Sequence, residues 1–238
     1  AIVCQDYDAP LDLFDRHLYE KGSLVLHALR CELGADVFWR GVNVYLTRHA
    51  RGVVETRDLC RALEEVSGRS LGRHFDLLVM RPGHVEASVE VGWDAGVLSV
   101  GVKQTQAATD GVPSVFELPL WIAIRSGGVT RRERLDLRSR TDAFVLPCAE
   151  RPDFVVIDPD GALLGDVSVK APLDMLRAQL AAPGPARARW LAARALAKTD
   201  DPPSIDALVE RLADAAESWM VRAEAAEALG HVRAPECK

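Results

Sequence analysis

The sequence predicts an α+β chain in three parts: a helical segment, an antiparallel β-sandwich and a run of repeated helices. Three observations carry this reading. Apolar residues recur with a period near 3.6 through residues 17–80, and the period falls to 2 across 85–170. An Ala/Arg pattern then returns at an offset of 33 within 172–238. The implied domains are residues 1–84, 85–170 and 171–238. The 238 residues are 48% hydrophobic and 27% charged, which is globular composition with enough length for a large core. Disordered, collagenous and disulfide-scaffold classes are excluded.

The helical segment is built from successive amphipathic stripes. Phe38, Val42, Tyr45, Leu46 and His49 share one helix face. Gly34 closes the helix before them, and Asp36 is the expected N-cap. Thr56 opens the next helix, with Leu59, Leu63 and Val66 as its apolar stripe, and Ser67-Gly68 stops it. Ser70 starts a further helix carrying Leu71, His74, Phe75 and Leu78. Arg81-Pro82-Gly83 ends the segment, because proline cannot continue a helix and glycine permits a turn.

The strands come next. Val85, Ala87, Val89 and Val91 alternate with polar residues, Asp94-Ala95-Gly96 turns the chain, and residues 97–102 run back. Further strands are expected at 116–124, 130–137, 143–146 and 154–157, with Gly127-Gly128 and Asp160-Gly161 as turns. Short strands at this spacing without intervening helices predict a sandwich. The basic stretch Arg131, Arg132, Arg134, Arg138 and Arg140, interleaved with Glu133 and Asp136, reads as a solvated strand face whose charges discourage edge pairing, in preference to an anion- or peptide-binding edge. In the last part, residues 189–197 match residues 222–230 in register. Such a repeat predicts a helical solenoid, whose units bury their faces by stacking.

Net charge is −6, opposite in sign to a general nucleic-acid binder, so no nucleic-acid partner is expected. No apolar run approaches the roughly 20 residues of a membrane span, so no membrane partner is expected. Five cysteines, Cys4, Cys31, Cys60, Cys148 and Cys237, are dispersed without a CxxC pair, which fits reduced thiols in the cytoplasm. Cys31 and Cys60 read as small buried hydrophobes. The first residue is Ala1, and the closing APECK comes after a helical pattern, so a fragment cut at both ends is expected.

Chemistry-bearing motifs are sparse. None of His17, His27, His49, His74, His84 and His231 is followed by Glu, so His-Glu-x-x-His is absent, and no two histidines stand at i, i+4. His49 and His74 read as satisfied helix histidines, and His84 as a turn residue. No Gly-x-Ser-x-Gly elbow and no phosphate-binding glycine loop occur. The segment Tyr19-Glu20-Lys21-Gly22 opens a strong helix. Glycine there costs about 1 kcal/mol relative to Ala, so a close backbone approach at Gly22 is expected. A tyrosine one turn before that helix is placed to aim its phenol outward.

Tyr19-Glu20-Lys21-Gly22 resembles the Tyr-x-Lys-Gly signature of the M1 family of zinc aminopeptidases, the gluzincins related to aminopeptidase N. Tyr7-Asp8-Ala9-Pro10 and Leu13-Phe14-Asp15 resemble the family's approach to that tyrosine. The stretches 33–39, 45–49, 55–59, 64–68, Phe75-Asp76 and Arg81-Pro82-Gly83-His84 resemble the family's segments beyond the tyrosine, and residues 102–106 resemble a later strand. The Ala/Arg helices resemble the HEAT-like tail of some bacterial members. Leu78, Met80 and Val85 depart from the family, which carries two aromatics and a proline there.

The resemblance implies the fold directly: the end of a thermolysin-like catalytic domain, a β-sandwich, then HEAT-like repeats. It implies hydrolysis of the N-terminal residue of peptides, with peptide substrates, a zinc cofactor and a metal-activated water. In the family the zinc motif precedes the tyrosine, and here eighteen residues precede it, so the zinc ligands are expected upstream of this chain. The missing N-terminal catalytic half of the polypeptide is then a partner, and the chain alone is expected to be inactive. Tyr19 is the one catalytic residue carried over, as a hydrogen-bond donor to the tetrahedral oxyanion; a phenol keeps its proton at neutral pH. The alternatives are a non-catalytic scaffold of the same superfamily and a HEAT-repeat protein-interaction module. Retention of Tyr19 within its motif favours the enzyme.

Overall fold

A computed structural model describes residues 1–4, 7–197 and 200–231. Cys237 and the rest of the APECK segment lie outside the described residues. The fold is α+β, with strands and helices in the predicted order. The chain divides into two units. The first comprises Ala1–Glu86, Thr105–Leu118 and Gly161–Asp166. The second comprises Ala87–Gln104, Pro119–Asp160 and the residues from Val167 onward.

In the first unit a widened π-turn, His17–Lys21, runs straight into helix α1, Gly22–Leu33. Gly34, at φ +81°, ends α1 and at once serves as N-cap of α2, Ala35–Arg48. Asp36 therefore lies inside the first turn of α2 and is not its cap; glycine alone tolerates the backbone that joins two helices without a linker. Helix α3, Thr56–Ser67, starts as predicted, with Glu55 and Asp58 forming a capping box, and Gly68 closes it in the left-handed conformation. The short α4, Gly72–Phe75, continues into a second π-turn, Asp76–Met80.

The core of this unit draws on Leu29, Phe38, Leu63, Phe75 and Leu78, all buried. Close approach occurs at Gly41 of α2. A Cβ there would stand 2.6 Å from Leu63 Cδ2 and 3.3 Å from Leu63 Cα. Gly22 shows no such approach: a Cβ would meet only the His17 carbonyl oxygen, at 3.9 Å. Gly22 has ordinary helical dihedrals, φ −57° and ψ −46°, so neither crowding nor backbone strain calls for glycine there. Cys60 is buried as expected and burial pushes its thiol up to about 11, whereas Cys31 is only half-buried.

The strands form two sheets. Strands β1 (Val85–Asp94), β2 (Val97–Gln104), β5 (Thr141–Pro147) and β7 (Gly165–Lys170) lie in the order β5-β2-β1-β7. Strands β3 (Pro119–Ser126), β4 (Val129–Asp136) and β6 (Phe154–Ile157) lie in the order β4-β3-β6. The β3–β4 hairpin turns on Gly127 and Gly128, both at positive φ. Residues 116–118 are not strand as expected. They are coil of the first unit, held because Phe116 and Leu118 are buried there. Strand β7 has no counterpart among the expected strands: Val167 and Val169 alternate with polar residues there, but the run is short and neither valine is more than half-buried.

The second unit ends in helices α5 (Leu173–Ala181), α6 (Ala186–Leu196), α7 (Pro202–Ala213) and α8 (Trp219–Gly230). The 33-residue offset superposes α6 on α8, and Ala192 and Ala225, one offset apart, are both fully buried in the helical core. The paired arginines behave alike. Arg189 donates to the carbonyl of Ala182 just past α5, and Arg222 donates to that of Leu212 at the end of α7. Each thereby satisfies a carbonyl that a helix end leaves open.

Candidate functional site

The site is built on the π-turn that carries Tyr19. Asp15 sets up its start: Oδ1 accepts from the backbone N–H of His17 at 2.8 Å and of Leu18 at 3.0 Å. Its Oδ2 meets His17 Nδ1 at 2.7 Å. The hydrogen bond from His17, with those from the backbone, holds the Asp15 carboxyl below the usual carboxylate range. The turn is closed on its far side by Ser23, whose hydroxyl donates to the Glu20 carbonyl at 2.8 Å.

Tyr19 is 60% exposed, and its ring tilts against Phe14 at 6.4 Å between centroids. Among the described residues its hydroxyl has no hydrogen-bond partner. The phenol is therefore available to an external acceptor, and the backbone beneath it is fixed, with the Tyr19 N–H donating to the Asp15 carbonyl at 3.2 Å. A π-turn of this sort is often found at functional positions, because it rotates one side chain out of helical phase.

Lys21 is the residue that motif reading leaves without a task. Its ammonium donates to the carbonyl of Gly83 at 2.9 Å, and burial lowers its pKa from the ordinary lysine value. The Tyr-x-Lys-Gly and Arg-Pro-Gly motifs are thus joined in one structure. Gly83 needs its positive φ of 86° there, and a Cβ would meet Val112 Cγ1 at 2.7 Å.

The histidines do not converge. His27 lies beside Arg30 and Cys31, His49 beside the Tyr45 ring, and His84 is exposed, 3.9 Å from Glu86. His74 departs from expectation: its Nε2 is buried and has no hydrogen-bond partner among the described residues. Among the described residues no three His, Cys, Asp or Glu side chains come together as a metal would require. The residues present do not fit a zinc site. Of the arginine stretch, Arg131, Arg132 and Arg134 sit on β4, an edge strand, where Arg134 pairs with Asp136 and Arg131 with Glu133, while Arg138 and Arg140 follow it in the loop before β5. That is the solvated, charge-guarded edge the sequence predicts.

Comparison with known proteins accords with these motifs. Residues 2–77 match the Peptidase family M1 domain, and residues 162–230 match HEAT repeats. The chain is 32% identical over 153 residues to Aminopeptidase 2 of Candida albicans, covering 62% of this chain and 16% of that protein. It is 38% identical over 88 residues to Aminopeptidase N of Lactococcus lactis, covering 37% of this chain and 10% of that protein. Among solved structures, aminopeptidase A of Legionella pneumophila in complex with aspartic acid aligns over 97% of this chain and 29% of its own, with a TM-score of 0.74 and 15% identity. That likeness concerns the fold. The chain spans a sixth or less of the two curated relatives. The resemblance carried by Tyr19 and the motifs after it is thus a resemblance to peptidase family M1, and the helical end is of HEAT type. No helix among the described residues is long and apolar enough to cross a membrane.

Proposed function

We propose that this chain is a piece of a zinc-dependent aminopeptidase of the M1 family, one that removes N-terminal residues from peptides. In this reading residues 1–84 belong to the catalytic domain, 85–170 to the β-sandwich and 171–238 to the HEAT-like domain. The metal ligands are contributed by upstream parts of the same polypeptide. The dispersed cysteines, without a CxxC pair, support a cytoplasmic setting.

One observation carries the assignment of Tyr19: within a segment that matches the family domain, its phenol stands exposed and unpartnered on a rigid π-turn. Its role is to donate one hydrogen bond to the oxygen that gains negative charge as the peptide carbonyl becomes tetrahedral. Asp15 and Lys21 act through the backbone, holding the turn at each end.

The test is kinetic. In the polypeptide that carries both this chain and the metal ligands, Tyr19→Phe removes only the donor. Turnover of an aminoacyl anilide is expected to fall with circular dichroism and metal content unchanged. Turnover equal to the parent's removes Tyr19 from the mechanism. No turnover by the parent itself favours the scaffold alternative.

A further inference from the structure

The second unit contains a cavity of about 260 Å³ that the aminopeptidase reading does not use. Its floor is one face of the β4-β3-β6 sheet. Period-2 alternation puts Ala123 and Arg125 of β3, Thr130 and Arg132 of β4, and Phe154 and Val156 of β6 on that face. Its far wall is the rigid Pro183 and Pro185 connection with Ala188 of α6. The walls are largely carbon.

Two arginines reach this space, and they differ. Arg132 is spent: it pairs with Asp160 and lies over the Trp121 ring at 5.6 Å. Arg125 donates to the Thr130 hydroxyl at 3.0 Å and pairs with no carboxylate among the described residues. A half-buried guanidinium beside apolar walls, with no counter-ion, favours an anion more than water-exposed arginine does. Thr130 accepts from Arg125, so its own O–H remains free to donate. One guanidinium fork and one hydroxyl match a single planar carboxylate. A phosphate would call for a second free cation, and Arg132 is already neutralised.

We propose that this cavity binds a small carboxylate with an apolar body, its charge against Arg125 and Thr130 and its hydrocarbon over Ala123, Phe154 and Val156.

The test titrates the purified protein with 4-phenylbutyrate, 4-phenylbutanamide and 4-phenylbutylamine by calorimetry, with inorganic phosphate as competitor. Saturable binding of the carboxylate is expected, about tenfold or more tighter than the amide, with none for the amine and no competition by phosphate. Arg125→Gln is expected to lose about tenfold in affinity for the carboxylate and to equalise it with the amide. Ala188→Leu, which narrows the cavity and keeps the charge, is expected to weaken both probes. Thermal midpoints read alongside show whether each variant folds, and should Arg125→Gln fail to fold, the ligand series on the parent decides. Equal affinity of carboxylate and amide, displacement by phosphate, indifference to both substitutions, or no saturable binding overturns the proposal.

Discussion

Lys21 Nζ donates to the carbonyl oxygen of Gly83 across 62 positions of sequence. This ties the turn bearing Tyr19 to the loop that leads into β1. Replacing Lys21 with Met keeps the aliphatic stem and removes the donor. The Gly83 carbonyl then loses a charge-assisted partner, at a cost of about 1–2 kcal/mol. Urea unfolding is expected to show a lowered midpoint. In the catalytically complete polypeptide, kcat should fall less than in Tyr19→Phe, since the phenol is displaced rather than deleted.

Tyr19→Phe itself is expected to lower kcat by about 100-fold or more, the usual size for one oxyanion donor. KM should change little, because the bond strengthens only as charge develops. A rise in KM at constant kcat would instead make Tyr19 a binding residue.

Gly41→Ala sets two effects against each other. Alanine favours helix by about 1 kcal/mol over glycine. Its Cβ, however, would stand 2.6 Å from Cδ2 of the fully buried Leu63 and 3.3 Å from that residue's backbone Cα. Overpacking wins, and a net loss of about 1–2 kcal/mol is expected by chemical denaturation. A gain in stability would mean that α2 and α3 can part freely.

Burial pushes the His74 imidazole down to about 4, from 6.5. Glu32 opposes this shift and Arg69 adds to it. The ring stays neutral in the folded chain while the unfolded chain takes up a proton below pH 6.5. Its stability contribution is therefore intact above that pH, declines as pH falls towards about 4, and is level below it. The decline amounts to roughly 3 kcal/mol at most. Thermal midpoints measured between neutral and acid pH should fall more steeply for the parent than for His74→Gln; parallel curves would relocate the acid sensitivity elsewhere.

Glu217 is 2% exposed and receives Arg189 on both oxygens, at 2.6 and 2.8 Å. The Arg189 hydrogen bond holds its carboxyl below the usual range. Glu217→Ala leaves a half-buried guanidinium unpaired and is expected to cost about 2–3 kcal/mol in urea unfolding. Arg151→Ala, which removes an exposed pair with Asp174, is the control and should barely move the midpoint.

The alternation of Val85, Ala87, Val89 and Val91, the Gly127-Gly128 turn and the 33-residue register are all readable because each is a local pattern with one geometric outcome. Tyr19 is readable only as part of a motif. The π-turn that makes it conspicuous in space has no sequence period. The Lys21–Gly83 bond is hidden for another reason: partners 62 residues apart leave no local trace. Strand β7 escapes notice because only two apolar residues, Val167 and Val169, mark it, whereas the edge strand β5 carries the run Ala143-Phe144-Val145-Leu146. The helix pattern places His74 beside Leu71 and Phe75, but whether a ring nitrogen finds a partner depends on tertiary neighbours that no local period records.

Arg189 and Arg222 each clasp the tail of the preceding helix, and Arg189 also reaches Glu217, just ahead of α8. The second pair of helices is thus bound to the first through a shared charge as well as through apolar stacking. A segment organised this way can gain or trade a layer over evolutionary time only if the newcomer brings its own acid for that arginine.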